Sequence, residues 1–205
     1  VIDAAQRGVR VRILIDDMMT VDQSMLAYAQ AHKRIAVRLF NPFSSQYIDI
    51  LMRPFEWLAK DRLNVRMHNK VMVADNSVAI IGGRNIENRY FWVDKKFNHR
   101  DLDILVTGPL IKDVSSSFDD YWNSDWAVPI AELEGIPSRH KARKFYQRMR
   151  TFRQLEHIEA MFQPALPTTL ADYNLGRDLV VVKAAFTADK PGKVEHREKT
   201  HYNEL

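Results

Sequence analysis

Hydrophobic and polar residues alternate along the first part of the chain in patterns that predict short strands and helices. Residues 9–16 (VRVRILID) and 35–40 (IAVRLF) are alternating or wholly apolar runs, which predict two strands. A helical pattern lies between them at about 21–32, and a shorter one at 1–7 ends at Gly8, a residue typical of helix C-termini. Strands that alternate with helices predict an α/β fold.

Two further apolar runs predict a β-hairpin. Residues 69–74 and 77–82 flank Asp75 and Asn76, whose types are favoured in two-residue hairpin turns. Across such a turn, we expect Ala74 to pair with Ser77. The irregular stretch before the hairpin, 44–65, is interpreted either as a wall beside a site or as a loop packed onto the domain.

The next two elements complete the predicted domain. Residues 101–108 (DLDILVTG) form a strand, and Pro109 begins a helix that runs to about Trp126. Aromatic residues recur on one face of this helix and are interpreted as core: Phe118, Tyr121 and Trp122. The fold class predicted is a mixed, largely parallel β-sheet covered by helices on both faces. The helix-like first residues and the linker-like tail predict truncation at both ends.

The pattern changes after residue 136. We divide the chain into a domain at 1–136, a basic amphipathic helical segment at 137–163, and a linker-like region at 164–205 with one strand-like run, DLVVVKAAF. Residues 139–153 contain seven Lys or Arg and no acid. The basic face of this segment is interpreted equally as a surface for anionic lipid or as the solvated side of a packed helix.

Composition excludes several classes of site. The chain has no cysteine, so disulfides and thiolate zinc sites are absent. Its formal net charge of +4 favours anionic partners without choosing among phosphate esters, acidic lipid and nucleic acid. No apolar run approaches the roughly 18 residues that a membrane span needs.

The hairpin carries the candidate chemistry. With the expected register, His68 lies opposite Gly83, and Asn85 lies opposite Arg66 on the same face. The side chains of His68, Lys70 and Asn85 would then converge on one small ligand, with open space above the glycine. Asp75 lies about 20 Å along the strand from His68, so it is interpreted as a structural residue of the turn.

Such a group suits phosphoryl chemistry. A lysine and an amide can hold a phosphoryl oxygen, and a histidine can attack phosphorus. The histidine needs a carboxylate or carbonyl to fix its tautomer, and Asp101 or Asp103 could supply it. The alternative is a hairpin with one satisfied histidine and a surface lysine. Asp16 and Asp17, at the end of the first strand, are interpreted as strand-end caps, with a position lining the site as the less favoured alternative.

The spacing His68-x-Lys70-x4-Asp75-x6-Gly82-Gly83-x-Asn85 resembles the HKD motif of the phospholipase D superfamily. The flanking sequences RGVRVRILIDDM, RLFNPF, RDLDILVTGP and DDYWNSDWAVP are similar to the N-terminal half of bacterial cardiolipin synthases. The family's usual arginine between Asn64 and Arg66 is Val65 here, which puts the substrate contacts of that loop in question.

The resemblance implies roles for these residues. His68 would be the nucleophile or its partner acid, Lys70 and Asn85 would hold the phosphate, and Asp101 would orient His68. The substrate-binding residues would be Gly83, Arg66 and Asp103, and the structural residue of the motif would be Asp75. No metal or other cofactor is implied, because cationic side chains neutralise the phosphate.

The family builds each site from two such motifs, and this chain contains one. The resemblance therefore implies a second HKD half, either in a longer chain or in a homodimer partner. The function expected is a phosphatidyltransferase that acts through phosphohistidine on a phosphatidylglycerol-like anionic phospholipid. The chain would sit peripherally on the cytoplasmic side of a bacterial cytoplasmic membrane. The alternative is a homodimeric phosphodiesterase or endonuclease, with nucleic acid as the less favoured partner.

Overall fold

The computed structural model describes residues 1–16, 29–30, 32–42, 66–92, 94–133 and 179–191. The predictions at 21–32, 44–65 and 137–163 lie wholly or mostly outside these residues. The described helices and strands, in chain order, are α1 (Ile2–Gln6), β1 (Val11–Asp16), β2 (Ile35–Phe40), β3 (Lys70–Ala74), β4 (Val78–Gly82), β5 (Asp103–Thr107), α2 (Ile111–Asn123) and β6 (Ala127–Pro129).

The first sheet has the order β1-β2-β6. Strands β1 and β2 are parallel, from Val11 opposite Ile35 to Asp16 opposite Phe40, so their carboxyl ends meet at one edge. Strand β6 is antiparallel to β2. One face of β2 buries Ile35, Val37 and Leu39 with the period of two expected of a strand, and these pack with Ala5 of α1 and with Ile130.

Helix α2 packs against the end of β2. Phe40 and Tyr121 are fully buried against each other, with ring centroids 5.3 Å apart. The Arg38 guanidinium lies 4.7 Å from the centre of the Trp122 ring and donates a hydrogen bond to the Trp122 carbonyl. The predicted core face of the helix is confirmed, since Tyr121 and Trp122 are buried and Phe118 is half-buried beside Trp122.

The second sheet, β3-β4-β5, is antiparallel throughout. Its turn has Asp75 and Asn76 at φ 52° and 50°, and the Ser77 N–H donates to the Ala74 carbonyl over 3.0 Å. The expected register is nevertheless wrong by one residue, because Ala74 pairs with Val78. The strand resumes one residue after the turn, as in a β-bulge, and the shift changes every cross-strand partner.

Two other expectations need correction. Of the four ladders between described strands, one is parallel and three are antiparallel, so "largely parallel" is wrong for this part of the chain. The strand-like run near 178–186 forms no strand over its described residues, although Phe186 packs against the second sheet. The architecture shown is a mixed α/β fold with two small sheets. Within the described ranges, no helix is long and apolar enough to cross a membrane.

Candidate active site

His68 lies immediately before β3 and its side chain is exposed. Two residues later, the half-buried Lys70 begins the strand and turns its ammonium group back to donate to the His68 carbonyl over 2.8 Å. The lysine therefore tethers the backbone that carries the imidazole, and it leaves the ring itself open to an incoming group.

The corrected register places Lys70, Gly82 and Asp103 in one row across the three strands. Residues in one row share a face of the sheet, so the ammonium and the carboxylate point to the same side. Gly82 between them has no side chain, and the Asp103 carboxylate leans into that space. A Cβ atom at position 82 would collide with this carboxylate.

Gly83 has the same relation to Asp101. A Cβ atom on Gly83 would lie 2.6 Å from both carboxylate oxygens of Asp101. Since the backbone of Gly83 does not have a positive φ, the requirement here is for space and not for backbone freedom. The space expected to be open over Gly83 is therefore filled by a carboxylate, and the glycine pair lets Asp103 and Asp101 approach the backbone closely.

Electrostatics link these groups. Partial burial lowers the pKa of Lys70 from 10.5, while the charges of Asp101 and Asp16 act in the opposite direction. Asp101 also accepts a hydrogen bond from the Leu102 N–H over 2.7 Å. Among the described residues, no hydrogen bond joins Asp101 to His68, so its orienting role stays a prediction.

Arg84 contacts both of these acidic residues. Its Nε atom forms an ion pair with the Asp103 carboxylate over 3.0 Å. Its Nη2 atom donates to the Asp101 carbonyl over 3.1 Å. This arginine follows the glycine pair directly, so a short segment supplies both the space for the carboxylates and a cation to hold them.

Asn85 faces a cluster of rings. Its amide nitrogen lies 3.4 Å from the Tyr90 hydroxyl, and the Tyr90 ring stacks on His99 with centroids 4.8 Å apart. Phe97 contacts the same histidine edge-on. The argument that placed Asn85 opposite Arg66 fails with the corrected register, and its convergence with His68 and Lys70 stays a prediction.

Asp75 occupies the far turn of the hairpin, exposed, and its carbonyl accepts the Ser77 hydroxyl over 2.9 Å. That position agrees with the structural interpretation, which was reached from the length of the strand. Arg66 forms an ion pair with Asp16 over 3.3 Å, with side chains 15% and 10% exposed, and its role in substrate binding stays a prediction.

Sequence reasoning gave too little weight to three residues around His68. Asp16 was interpreted as a strand-end cap, yet it also accepts the Met67 N–H over 2.7 Å. Asn69 forms a side-chain hydrogen bond with Tyr121, a residue interpreted only as core. These contacts join residues that are far apart in the sequence. The one indication of them in the sequence was a polar side chain within an apolar stripe.

Among the residues described, no three histidine or acidic side chains cluster in a way that could hold a metal ion. The chemistry available comes from an exposed imidazole, a half-buried ammonium and two carboxylates over a glycine pair. This set can bind an anionic phosphodiester and present a nitrogen nucleophile to it.

Comparisons with known proteins agree with this chemistry. The profile of a family described as "Cardiolipin synthase, PLD-like domain" matches residues 1–126. Cardiolipin synthase C of Escherichia coli is 35% identical over 206 residues, which are 97% of this chain and 42% of that protein. An uncharacterized protein of Helicobacter pylori is 42% identical over 135 residues, 64% of this chain and 26% of its own length.

A cardiolipin synthase of Oceanobacillus iheyensis is more distant, at 28% identity over 123 residues, which are 60% of this chain and 23% of that protein. The chain thus spans less than half the length of each of these relatives. No solved structure matches it. The family profile and the Escherichia coli relative together show that this chain belongs to the phospholipase D-like cardiolipin synthase family.

Proposed function

We propose that this chain supplies one half of the active site of a phosphatidyltransferase of the cardiolipin synthase type. The observation that carries the proposal is the row of Lys70, Gly82 and Asp103 beside the exposed His68. It places a cation next to a nucleophile and a carboxylate over the glycine of the same row. Membership of the family gives this arrangement its substrate class.

In the first step, an imidazole nitrogen of His68 attacks the phosphorus of an anionic phospholipid. The nitrogen–phosphorus bond forms as the bond from phosphorus to the leaving alcohol oxygen breaks, and phosphohistidine results. The ammonium of Lys70 and the amide of Asn85 stabilise the charge on the phosphoryl oxygens. Asp101 orients the imidazole. The proton for the leaving oxygen comes from the histidine of a second HKD half.

In the second step, the hydroxyl of a phosphatidylglycerol-like lipid attacks the same phosphorus. The nitrogen–phosphorus bond breaks, His68 is regenerated, and the second histidine takes the proton of the hydroxyl. The two halves therefore exchange one alcohol for another with no net change in protons. The second half lies in the same longer chain or in another copy of this one.

The partner surface proposed is an anionic membrane, on the cytoplasmic side of a bacterial cytoplasmic membrane. Residues 86–92 and 94–100 belong to the loop after Asn85. This loop presents large apolar side chains to solvent, with Ile86 101%, Trp92 64% and Phe97 58% exposed. Three cations lie in the same loop and form no ion pair within the described residues: Lys95, Lys96 and Arg100. Apolar side chains among cations suit the interface of an acidic bilayer.

An assay on the full-length protein tests the proposal. The protein is incubated with vesicles that contain labelled phosphatidylglycerol and, in a parallel reaction, with DNA. We expect a lipid product with two phosphatidyl groups, and no such product from the His68→Gln variant. Cleavage of DNA without any lipid product would instead support the nuclease alternative.

A further inference from the structure

Asp16 connects the first sheet to the segment that carries His68. One carboxylate oxygen accepts the Met67 N–H over 2.7 Å, and the other accepts Nη1 of Arg66 over 3.3 Å. The carboxylate ends β1, so a rigid strand holds it in place. Its contact is with the residue directly before the histidine.

A second contact ties the same segment to the neighbouring strand. Nη1 of Arg66 also donates to the carbonyl of Asn41 over 3.1 Å. Asn41 follows β2, is 2% exposed, and donates its own N–H to the Trp126 carbonyl over 2.7 Å. The carboxyl ends of two parallel strands therefore hold the segment through a single arginine and a single aspartate.

The segment is anchored on the other side of His68 as well. The Asn69 side chain hydrogen-bonds to Tyr121 on α2, and the Met67 side chain packs against Phe40 and Tyr121. The residues on either side of His68 are thus fixed to the domain, while the imidazole stays exposed. Such an arrangement sets the direction of one side chain without touching it.

We propose that Asp16 is a positioning residue for His68: it fixes the backbone at Met67 and thereby aims the imidazole at the phosphodiester. The geometry favours this role over a strand-end cap, because both carboxylate oxygens bind the His68 segment. The carboxylate also lies near enough to Lys70 to act on its charge. The inference rests on the proposed function, since it assumes that His68 is the nucleophile.

The test compares Asp16→Ala and Asp16→Asn in the full-length protein. The alanine variant loses both contacts, whereas the asparagine variant keeps an oxygen for the Met67 N–H and loses the charge that pairs with Arg66. We expect kcat to fall about 100-fold in Asp16→Ala with KM changed less than threefold, because a displacement of about 1 Å in a reacting group costs that much. The kcat of Asp16→Asn should lie between the kcat of the wild type and that of Asp16→Ala.

Asp119→Asn is the matched control. Asp119 forms the other aspartate–arginine ion pair of β1, with Arg12 over 2.7 Å, and both side chains are close to half exposed. Its removal should leave kcat unchanged. Circular dichroism checks that each variant is folded, and Asp16→Asn decides the question if Asp16→Ala does not fold.

A second readout does not depend on lipid turnover. In protein labelled with ¹⁵N in histidine, the ring signals of His68 are identified by their loss in His68→Gln. We expect these signals to move in the Asp16 variants and not in Asp119→Asn. Unchanged ring signals, or an unchanged kcat, would overturn the role of Asp16. If the wild type transfers no lipid, the proposed function fails and the ring signals alone decide the positioning role.

Discussion

At the scale of single residues, the glycine pair determines where charge can accumulate. Gly82 and Gly83 let the carboxylates of Asp103 and Asp101 lie close over the backbone, and Asp103 shares its row with Lys70. Any other residue would fill that space with its own Cβ atom. The pair therefore acts through the side chains that it admits.

Replacing Gly83 by alanine tests this relation. The new Cβ would lie 2.6 Å from the Asp101 oxygens, so we expect Gly83→Ala to destabilise the protein by about 1 kcal/mol, the low end of overpacking, because the exposed carboxylate can rotate away. Removing the obstructing carboxylate in Gly83→Ala/Asp101→Ala should recover part of this loss in urea unfolding. Strictly additive effects of the two substitutions would show that the carboxylate does not stand where the structure places it.

Tyr121 supplies a pH-dependent prediction. Burial, with a contribution from Asp189, raises the pKa of Tyr121 to about 12 from 10.0. Between pH 10 and pH 12 the folded state keeps the proton that the unfolded state has lost, so stability falls as pH rises. This contribution amounts to roughly 2 kcal/mol across the window.

Tyr121→Phe should remove that dependence. The variant loses its hydrogen bond with Asn69 at every pH, and the wild-type advantage in unfolding free energy should shrink steadily above pH 10. Urea unfolding at pH 8, 10 and 11 measures the difference. A constant difference across this range would mean that Tyr121 does not hold its proton as stated.

At the scale of secondary-structure elements, the candidate catalytic residues and the turn residue of the motif lie at opposite ends of one hairpin strand. His68 and Lys70 lie at one end of β3, and Asp75 lies at the turn with a left-handed backbone. Five strand residues at about 3.3 Å each keep the aspartate too far from the imidazole to act on it.

Two substitutions at position 75 distinguish a backbone role from a chemical one. Asp75→Gly should retain full transfer activity, because glycine adopts φ near 52° without strain. Asp75→Val should cost about 1–2 kcal/mol or more, since a β-branched side chain is disfavoured there. Thermal unfolding and the lipid assay measure both effects. Loss of turnover in a fully folded Asp75→Gly protein would assign the carboxylate a part in the reaction.

The elements differ in how well sequence predicts them. The bounds of β2 and the core face of α2 followed from apolar periodicity, which is a local property of the chain. The register of the hairpin did not follow from this periodicity, because the alternation of apolar and polar residues does not show the extra residue at Ser77. The bond from Asp16 to Met67 crosses 51 positions, and no local pattern reports it.

At the scale of the whole molecule, the exposed loop after Asn85 places apolar and cationic side chains beside the site. Under the proposed function, a lipid substrate would have to leave the bilayer to reach His68, and a loop that enters the interface would shorten that path. The chain spans 42% of its Escherichia coli relative, so the complete enzyme would combine this surface with parts supplied elsewhere.

Membrane binding should depend on the two most exposed aromatic residues of this loop. In the full-length protein, Trp92→Ser/Phe97→Ser should weaken binding to vesicles rich in phosphatidylglycerol at least about tenfold, since each buried aromatic contributes about 1.5 kcal/mol or more. Co-sedimentation measures the change. Val180→Ser/Val181→Ser is the matched control, because it removes exposed apolar side chains from a different segment. Equal losses in both double variants would contradict a specific role for the loop.

The most direct test of the account is to trap the covalent intermediate. The full-length protein is mixed with phospholipid that carries radioactive phosphorus, quenched at high pH to preserve phosphohistidine, and digested with trypsin. We predict label on the peptide that follows Arg66 and ends at Lys70, its absence in His68→Gln, and its loss when an acceptor lipid is added. Normal formation of product by the His68→Gln protein, or label on another peptide alone, would contradict the central claim.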